Sequence, residues 1–312
     1  MQLTTPIQLT EYNSIDYNSK ILNIGSCFAD NIGNKLIDMR FNVLNNPNGI
    51  VYNPITISDI LMHIAEDKEY TESDLVYNNG LWYSLLHHGK YCASEKEMLL
   101  ATINENLHLQ HTFIKEATHI IITFGSSVVY DFNGKTAGNC HKLPNKLFIE
   151  RMLSITEIIE ATTKAIEEIK RINSEIEIVI TISPVRYAGK GMHNNQINKA
   201  TLLLATEALC KKYDIIYFPS YEIVLDELRD YRYFAEDMIH PSEIAIKYIW
   251  ERFCESMITK ESRQIMPEIE KITKSLNHRP LHPDSNEYNI FREKLEQRIK
   301  EIRIKYPDIF PE

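Results

Sequence analysis

Five short apolar runs, Ile21–Ile24, Phe41–Leu44, His119–Phe124, Ile176–Ile182 and Ile215–Phe218, set the terms on which this chain can fold. His119–Phe124 and Ile176–Ile182 come close to unbroken apolar stretches. Strands covered by helices on both faces read that way, whereas a strand with one wet face alternates. Between the runs the apolar spacing becomes helical. Phe28, Ile32 and Leu36 recur at intervals of four, and Ile155, Ile158, Ile159, Thr162, Ile166 and Ile169 trace a second stripe. Leu202, Leu203, Thr206 and Leu209 form a third. Past Pro241, suited to a first helical position, Ile244, Ile246, Ile249, Trp250 and Phe253 continue a helix. Strands alternating with helices in this manner predict an α/β fold on a mostly parallel sheet.

Two stretches break the alternation. Asn79-Gly80 lies between aromatic runs within 76–93, and Asn133-Gly134 follows Val128-Val129-Tyr130. Asn-Gly suits the left-handed backbone of a tight hairpin turn, so both predict hairpin insertions at the sheet edge or around a pocket mouth. From about Glu261 the chain is charge-rich, with Phe291, Leu295, Ile299 and Ile302 as a helical stripe. The reading is one domain over 1–260 and a helical extension, 261–312, packed on it.

The balance of charge narrows the partners. A formal charge of −9 argues against nucleic acid and against an anionic membrane surface, each of which favours a basic face. Cys27, Cys92, Cys140, Cys210 and Cys254 are scattered and odd in number, which predicts reduced thiols rather than a disulfide framework or zinc site. The run Met1-Gln2-Leu3-Thr4-Thr5-Pro6 lacks a basic region followed by an apolar core, and no stretch suits a bilayer span. A cytoplasmic location and no membrane insertion are the expectations.

The chemistry lies near the two ends. Gly25-Ser26-Cys27 closes the first apolar run and opens an amphipathic segment, so Ser26 is expected on a strand–turn–helix corner among unpaired N–H groups. Taken alone, it reads as an N-cap serine. Asp237-x-x-His240 supplies a base and a carboxylate to orient it, beside Pro241 on a loop. Together they are the parts of a serine hydrolase, with Ser26 as nucleophile, His240 as general base and Asp237 as orienting group. Cys27 is expected to point into the core. His87, His88 and His193 share no metal-ligand spacing, and solvent exposure is the expectation for His87 and His88. Arg186, after the fourth strand, is a candidate substrate contact, because open α/β sheets bind ligands at the carboxyl ends of their strands. No metal and no organic cofactor are called for.

Gly25-Ser26-Cys27-Phe28-Ala29 spells the motif of the GSCFA domain family, which is placed among the SGNH/GDSL hydrolases. The resemblance extends over roughly 20–255. It takes in Asn53-Pro54, Thr123-Phe124-Gly125, Asn139-Cys140-His141-Lys142-Leu143-Pro144 and Ser183-Pro184-Val185-Arg186. Tyr217-Phe218-Pro219-Ser220-Tyr221-Glu222 and the run from Asp226 to Pro241 complete it. The resemblance implies a three-layer α/β/α sandwich and carries Ser26, His240 and Asp237 onto the catalytic positions. It implies an oxyanion hole of the Ser26 N–H, a glycine after the second strand, here Gly49, and an asparagine. The third block departs from the superfamily's Gly-x-Asn-Asp and reads Gly125-Ser126-Ser127, so Asn139 is the candidate replacement and Ser127 a weaker one. His141 is a candidate pocket residue. The implied activity is removal of an acyl group, such as acetyl, from a carbohydrate or small-molecule ester. The alternatives are acyl transfer by the same residues and a non-catalytic carbohydrate-binding protein on a hydrolase fold.

Overall fold

Among the described residues of the computed structural model, 4–310 except 279, 283, 284 and 308, eleven strands and nine α-helices follow one another, with short 3-10 and π turns between them. Met1, Gln2 and Leu3, the start of the segment read above for a leader, lie outside the described residues. Strand β1 (Lys20–Gly25) leads into helix α1 (Cys27–Asp38) and β2 (Asn42–Asn45). After α2 (Pro54–Glu66) come β3 (Leu75–Asn78), β4 (Leu81–Ser84) and β5 (Cys92–Ala93), then the long α3 (Lys96–Glu116). Strand β6 (His119–Phe124) precedes a second excursion of β7 (Val128–Phe132), β8 (Lys135–Ala137) and β9 (Ile149–Met152). Then follow α4 (Ile155–Ile172), β10 (Glu177–Ile182), α5 (Met192–Lys212) and β11 (Ile215–Phe218). A single turn, α6 (Ser220–Glu222), leads towards α7 (Glu243–Met257), α8 (Lys260–Leu276) and α9 (Asn286–Lys305).

The central sheet is parallel throughout and ordered β11-β10-β6-β1-β2. Its side chains alternate between two cores, as the period of two in a strand requires. Leu22, Ile120, Ile122, Ile178 and Ile180 join one core with α2, α3, α4 and α5. Ile21, Ile121 and Val179 join the other with α1, α7 and α8. The result is a three-layer α/β/α sandwich, with the strand runs where the sequence puts them. Both Asn-Gly turns form hairpins, β3–β4 and β7–β8, with Asn79 and Asn133 at positive φ.

One helix start differs from its prediction. Ser242, not Pro241, governs the entry to α7: its hydroxyl accepts the Ala245 N–H, and Pro241 lies outside the helix in an antiparallel bridge to Phe234.

The strand order places a switch point between β1 and β6. From β1 the chain steps outward to β2, then returns past β1 to β6 and continues away. The helices leaving β1 and those preceding β6 cover opposite faces, so a crevice opens at the carboxyl ends of these two strands. Ser26 follows β1 and Gly125 follows β6.

Candidate functional site

Gly25 makes the corner on which Ser26 stands. Its φ is +146°, and a Cβ there would approach Thr123 O to 2.3 Å, so only glycine lets β1 turn this close to β6. The Gly25 N–H donates to Asn46 Oδ1 (2.8 Å), and Asn46 Nδ2 donates to Asp30 Oδ1 (2.6 Å), tying the corner to the end of β2 and to the first turn of α1. Ser26 is the N-cap of α1, and its Oγ accepts the Phe28 N–H at 3.3 Å. Its own N–H donates to Thr123 O at 3.3 Å, a long bond.

The second half is a tight loop before α7. Asp237 Oδ1 accepts the N–H groups of Ile239 (2.8 Å) and His240 (3.0 Å), and Oδ2 lies 2.6 Å from His240 Nδ1. A carboxylate only accepts, so Nδ1 is the donor of this pair, and Asp237 leaves Nε2 as the ring nitrogen it does not engage. The His240 N–H, its ring and the Ile239 N–H hold the Asp237 carboxyl down at about 2. Met238, between them, has φ +57°.

Ser26 and His240 line one cavity of about 420 Å³. Tyr52, Val128, Tyr130, Val185, Tyr187 and Ile239 give it largely apolar walls, with Asn53, Ser126, Asn139 and Ser183 between them. The β7–β8 hairpin supplies one side through Val128, Tyr130 and Ala137. No carboxylate is among its lining residues. Among the described residues no hydrogen bond joins Ser26 Oγ to His240. Nor does any group of three or more His, Cys, Asp or Glu side chains converge as a metal site would require.

The other sequence candidates fall in several places. Asn139 lines the cavity, and its Oδ1 accepts the His141 N–H at 2.9 Å, so the turn anchors the amide through its oxygen. Gly49 is outside the cavity lining: its N–H donates to Asn46 O at 2.7 Å, closing a turn. Ser127 is fully buried, its N–H donating to Asn198 Oδ1 (2.6 Å), and it does not line the cavity. His141 is also outside, stacked on Tyr83 with Nε2 2.7 Å from Ser84 O. Arg186 lines the cavity, yet its guanidinium is engaged. Nη1 donates to Met238 O (3.1 Å), the backbone N–H to Ile239 O (3.1 Å), and the group sits 3.6 Å from the Phe234 ring centroid.

Two expectations are overturned. Cys27 is not in the core: it is half-buried on the cavity wall beside Ser26, because it occupies the first position of α1 rather than its inner face. Burial pushes its thiol up, away from thiolate. His87 is not solvent-exposed but wholly buried, its Nδ1 2.8 Å from Ser84 Oγ and its Nε2 2.9 Å from Asn48 Nδ2. Removal from water pushes the imidazole down to about 3, which keeps it neutral.

Sequence reasoning missed the support beneath the site. Asn198 and Lys199 of α5 are both wholly buried. Asn198 holds Ser126 and Ser127 by their side chains (3.2 and 2.9 Å). Lys199 Nζ donates to Gly125 O (2.8 Å) and Ser183 O (2.6 Å), and burial pushes its ammonium down to about 7. The signal was present: continuing the Leu202, Thr206, Leu209 stripe backwards in steps of three and four reaches Lys199, Asn198 and Asn195.

Fold and cavity together define a doubly wound α/β protein with a polar cluster at its switch point. The chain belongs to the GSCFA family, whose model matches residues 20–253. A second model, described as the GSCFA domain protein C-terminal domain, matches 269–310. No curated protein matches the chain.

Proposed function

We propose that this protein is a serine esterase of SGNH/GDSL type that removes an acyl group from a carbohydrate or small-molecule ester. The observation that carries the reading is that Ser26 and His240, from opposite ends of the chain, line one cavity while Asp237 holds the His240 ring by Nδ1. Catalytic hydrogen bonds are often open in unliganded sites, so the missing Ser26–His240 contact is compatible with closure on substrate. The cavity suits an ester: its walls are apolar and tyrosine-rich, and no carboxylate lines it.

In the first half-reaction Ser26 Oγ bonds to the acyl carbon as its proton passes to His240 Nε2. Asp237 stabilises the imidazolium that results. The oxyanion is received by the N-terminus of α1, by the Ser26 N–H once it leaves Thr123 O, and by Asn139 Nδ2. Collapse breaks the bond to the alcohol oxygen, which takes the proton from His240 and leaves an acyl-Ser26. Water, deprotonated by His240, then attacks that acyl carbon, and collapse breaks the bond to Ser26 Oγ as His240 returns the proton to Oγ, releasing the acid and free Ser26. Gly49 has no part in this scheme, because its N–H is already spent in a turn.

A fluorophosphonate probe tests this without knowledge of the natural substrate. It should form a Ser26 Oγ–P bond with loss of fluoride, and Ser26→Ala should abolish labelling and hydrolysis of p-nitrophenyl acetate while the fold persists. Undiminished labelling in Ser26→Ala would end the proposal, and loss in Cys27→Ala alone would move the nucleophile to the thiol.

A further inference from the structure

Lys199 is the one lysine among the described residues that is wholly buried, and no carboxylate pairs with it. A charged group removed from water without a counterion is costly, so a site that keeps one calls for a physical account. Its Nζ donates to two backbone carbonyls, Gly125 O (2.8 Å) and Ser183 O (2.6 Å), at the carboxyl ends of neighbouring strands β6 and β10. Gly125 touches the candidate nucleophile: a Cβ built on it would lie 3.1 Å from Ser26 Cβ. The N–H groups of Gly125 and Ser126 both donate to Tyr52 O (2.8 and 3.0 Å), so the peptide units here face one way and the Gly125 carbonyl faces Lys199.

We propose that Lys199 is a positioning residue for Ser26: it fixes the two strand ends that form the floor of the site and, when protonated, sets a positive charge beside the Gly125 peptide that packs against Ser26. The proposal rests on the esterase reading, since it needs an oxyanion to act on. Two donors of the ammonium are accounted for by carbonyls, and its charge acts through protein rather than water, where a given separation is worth more. The same helix turn carries Asn198, which holds Ser126 and Ser127. One turn of α5 therefore organises the whole segment after β6, in place of the Asn-Asp expected there. An exclusively structural lysine would also bind these carbonyls, but it would not set the rate at which Ser26 reacts once the fold is formed.

The test measures saturation kinetics of fluorophosphonate labelling in the full chain, separating the bond-forming rate constant from probe affinity. Lys199→Met removes charge and donors, and Lys199→Gln keeps donors without charge. Both should slow bond formation at least tenfold with affinity within about twofold, and Lys199→Gln should melt closer to the wild type than Lys199→Met. Folded variants that label at the wild-type rate would overturn the assignment and leave the esterase reading intact. If the wild type itself does not label at Ser26, both readings fall together. Should neither variant fold, lysine Nζ resonances of the wild type supply the readout. Phosphonylation of Ser26 should shift the buried, slowly exchanging ammonium more than any surface lysine, and an unmoved resonance would refute the proposal.

Discussion

Asp237 closes its loop with one carboxylate, accepting two backbone N–H groups and facing the His240 ring. Each of these interactions favours the charged form, which is why the carboxyl lies near 2 instead of its ordinary 3.8. The group's folded value is lowered, so whatever stability it lends the loop is present above the unfolded value and is lost as pH falls through about 2. Carbon-detected titration of labelled aspartate should therefore find Asp237 ionised at pH 3. A midpoint near its ordinary value would mean the loop contacts are not formed in solution. The residue types of this loop were legible because Asp-x-x-His is a local pattern, its parts held by near neighbours in sequence. Gly49 and Ser127 were not, because whether an N–H is free depends on which carbonyl or side chain folds onto it. Here the Gly49 N–H is engaged by the turn to Asn46 and the Ser127 N–H by the long-range contact to Asn198.

At the scale of elements, the candidate base is held by a residue from a different strand connection. Arg186, after β10, donates to Met238 O from its guanidinium and to Ile239 O from its backbone, while its plane lies over Phe234. Sequence reading offered it as a substrate contact because of where it sits in the sheet; in the structure it lines the cavity and is also joined to the His240 loop. Arg186→Met keeps the stem against Phe234 and deletes the bond to Met238 O. Small misplacements of a reacting group are costly in rate, so turnover should fall about tenfold with KM little changed. A rise in KM at constant turnover would return Arg186 to the role of substrate contact. Legibility by element followed the same logic. The strands were visible because burial on both faces leaves an unbroken apolar run. Helix α5 was half visible, since its inward face is apolar at Leu202 and Leu209 but polar at Asn195, Asn198 and Lys199. A helix that buries polar groups for a site hides its own periodicity.

Across the whole molecule, the two ends of the chain help to close the layer that carries α1. Residues near the N-terminus pair with the exit of α7: the Tyr12 and Asn13 N–H groups donate to Ser256 O, Ile15 donates to Met257 O, and Thr259 donates back to Ile15 O. Helix α8 then lays Ile269 and Ile272, both wholly buried, into the core shared by Phe28, Ile32 and Leu36 of α1. Leu295 of α9 joins the same core, with Ile299 and Ile302 packed against it and Phe291 more than a third exposed. The apolar stripe of the extension thus enters the same core as the helix whose N-terminus bears Ser26. Removing 261–312 would strip Ile269, Ile272 and Leu295 from that core, and the shortened chain should melt lower and aggregate. The sharper form of the prediction is Ile272→Ala, outside the cavity lining, which deletes buried methyl groups and leaves a void worth about 3 kcal/mol. Chemical denaturation should show that loss while fluorophosphonate labelling of the folded fraction stays at the wild-type rate. If the variant unfolds at wild-type denaturant concentration, α8 does not contribute to the core. If stability falls and labelling slows in the folded fraction as well, the extension acts on the corner at Ser26 itself through α1.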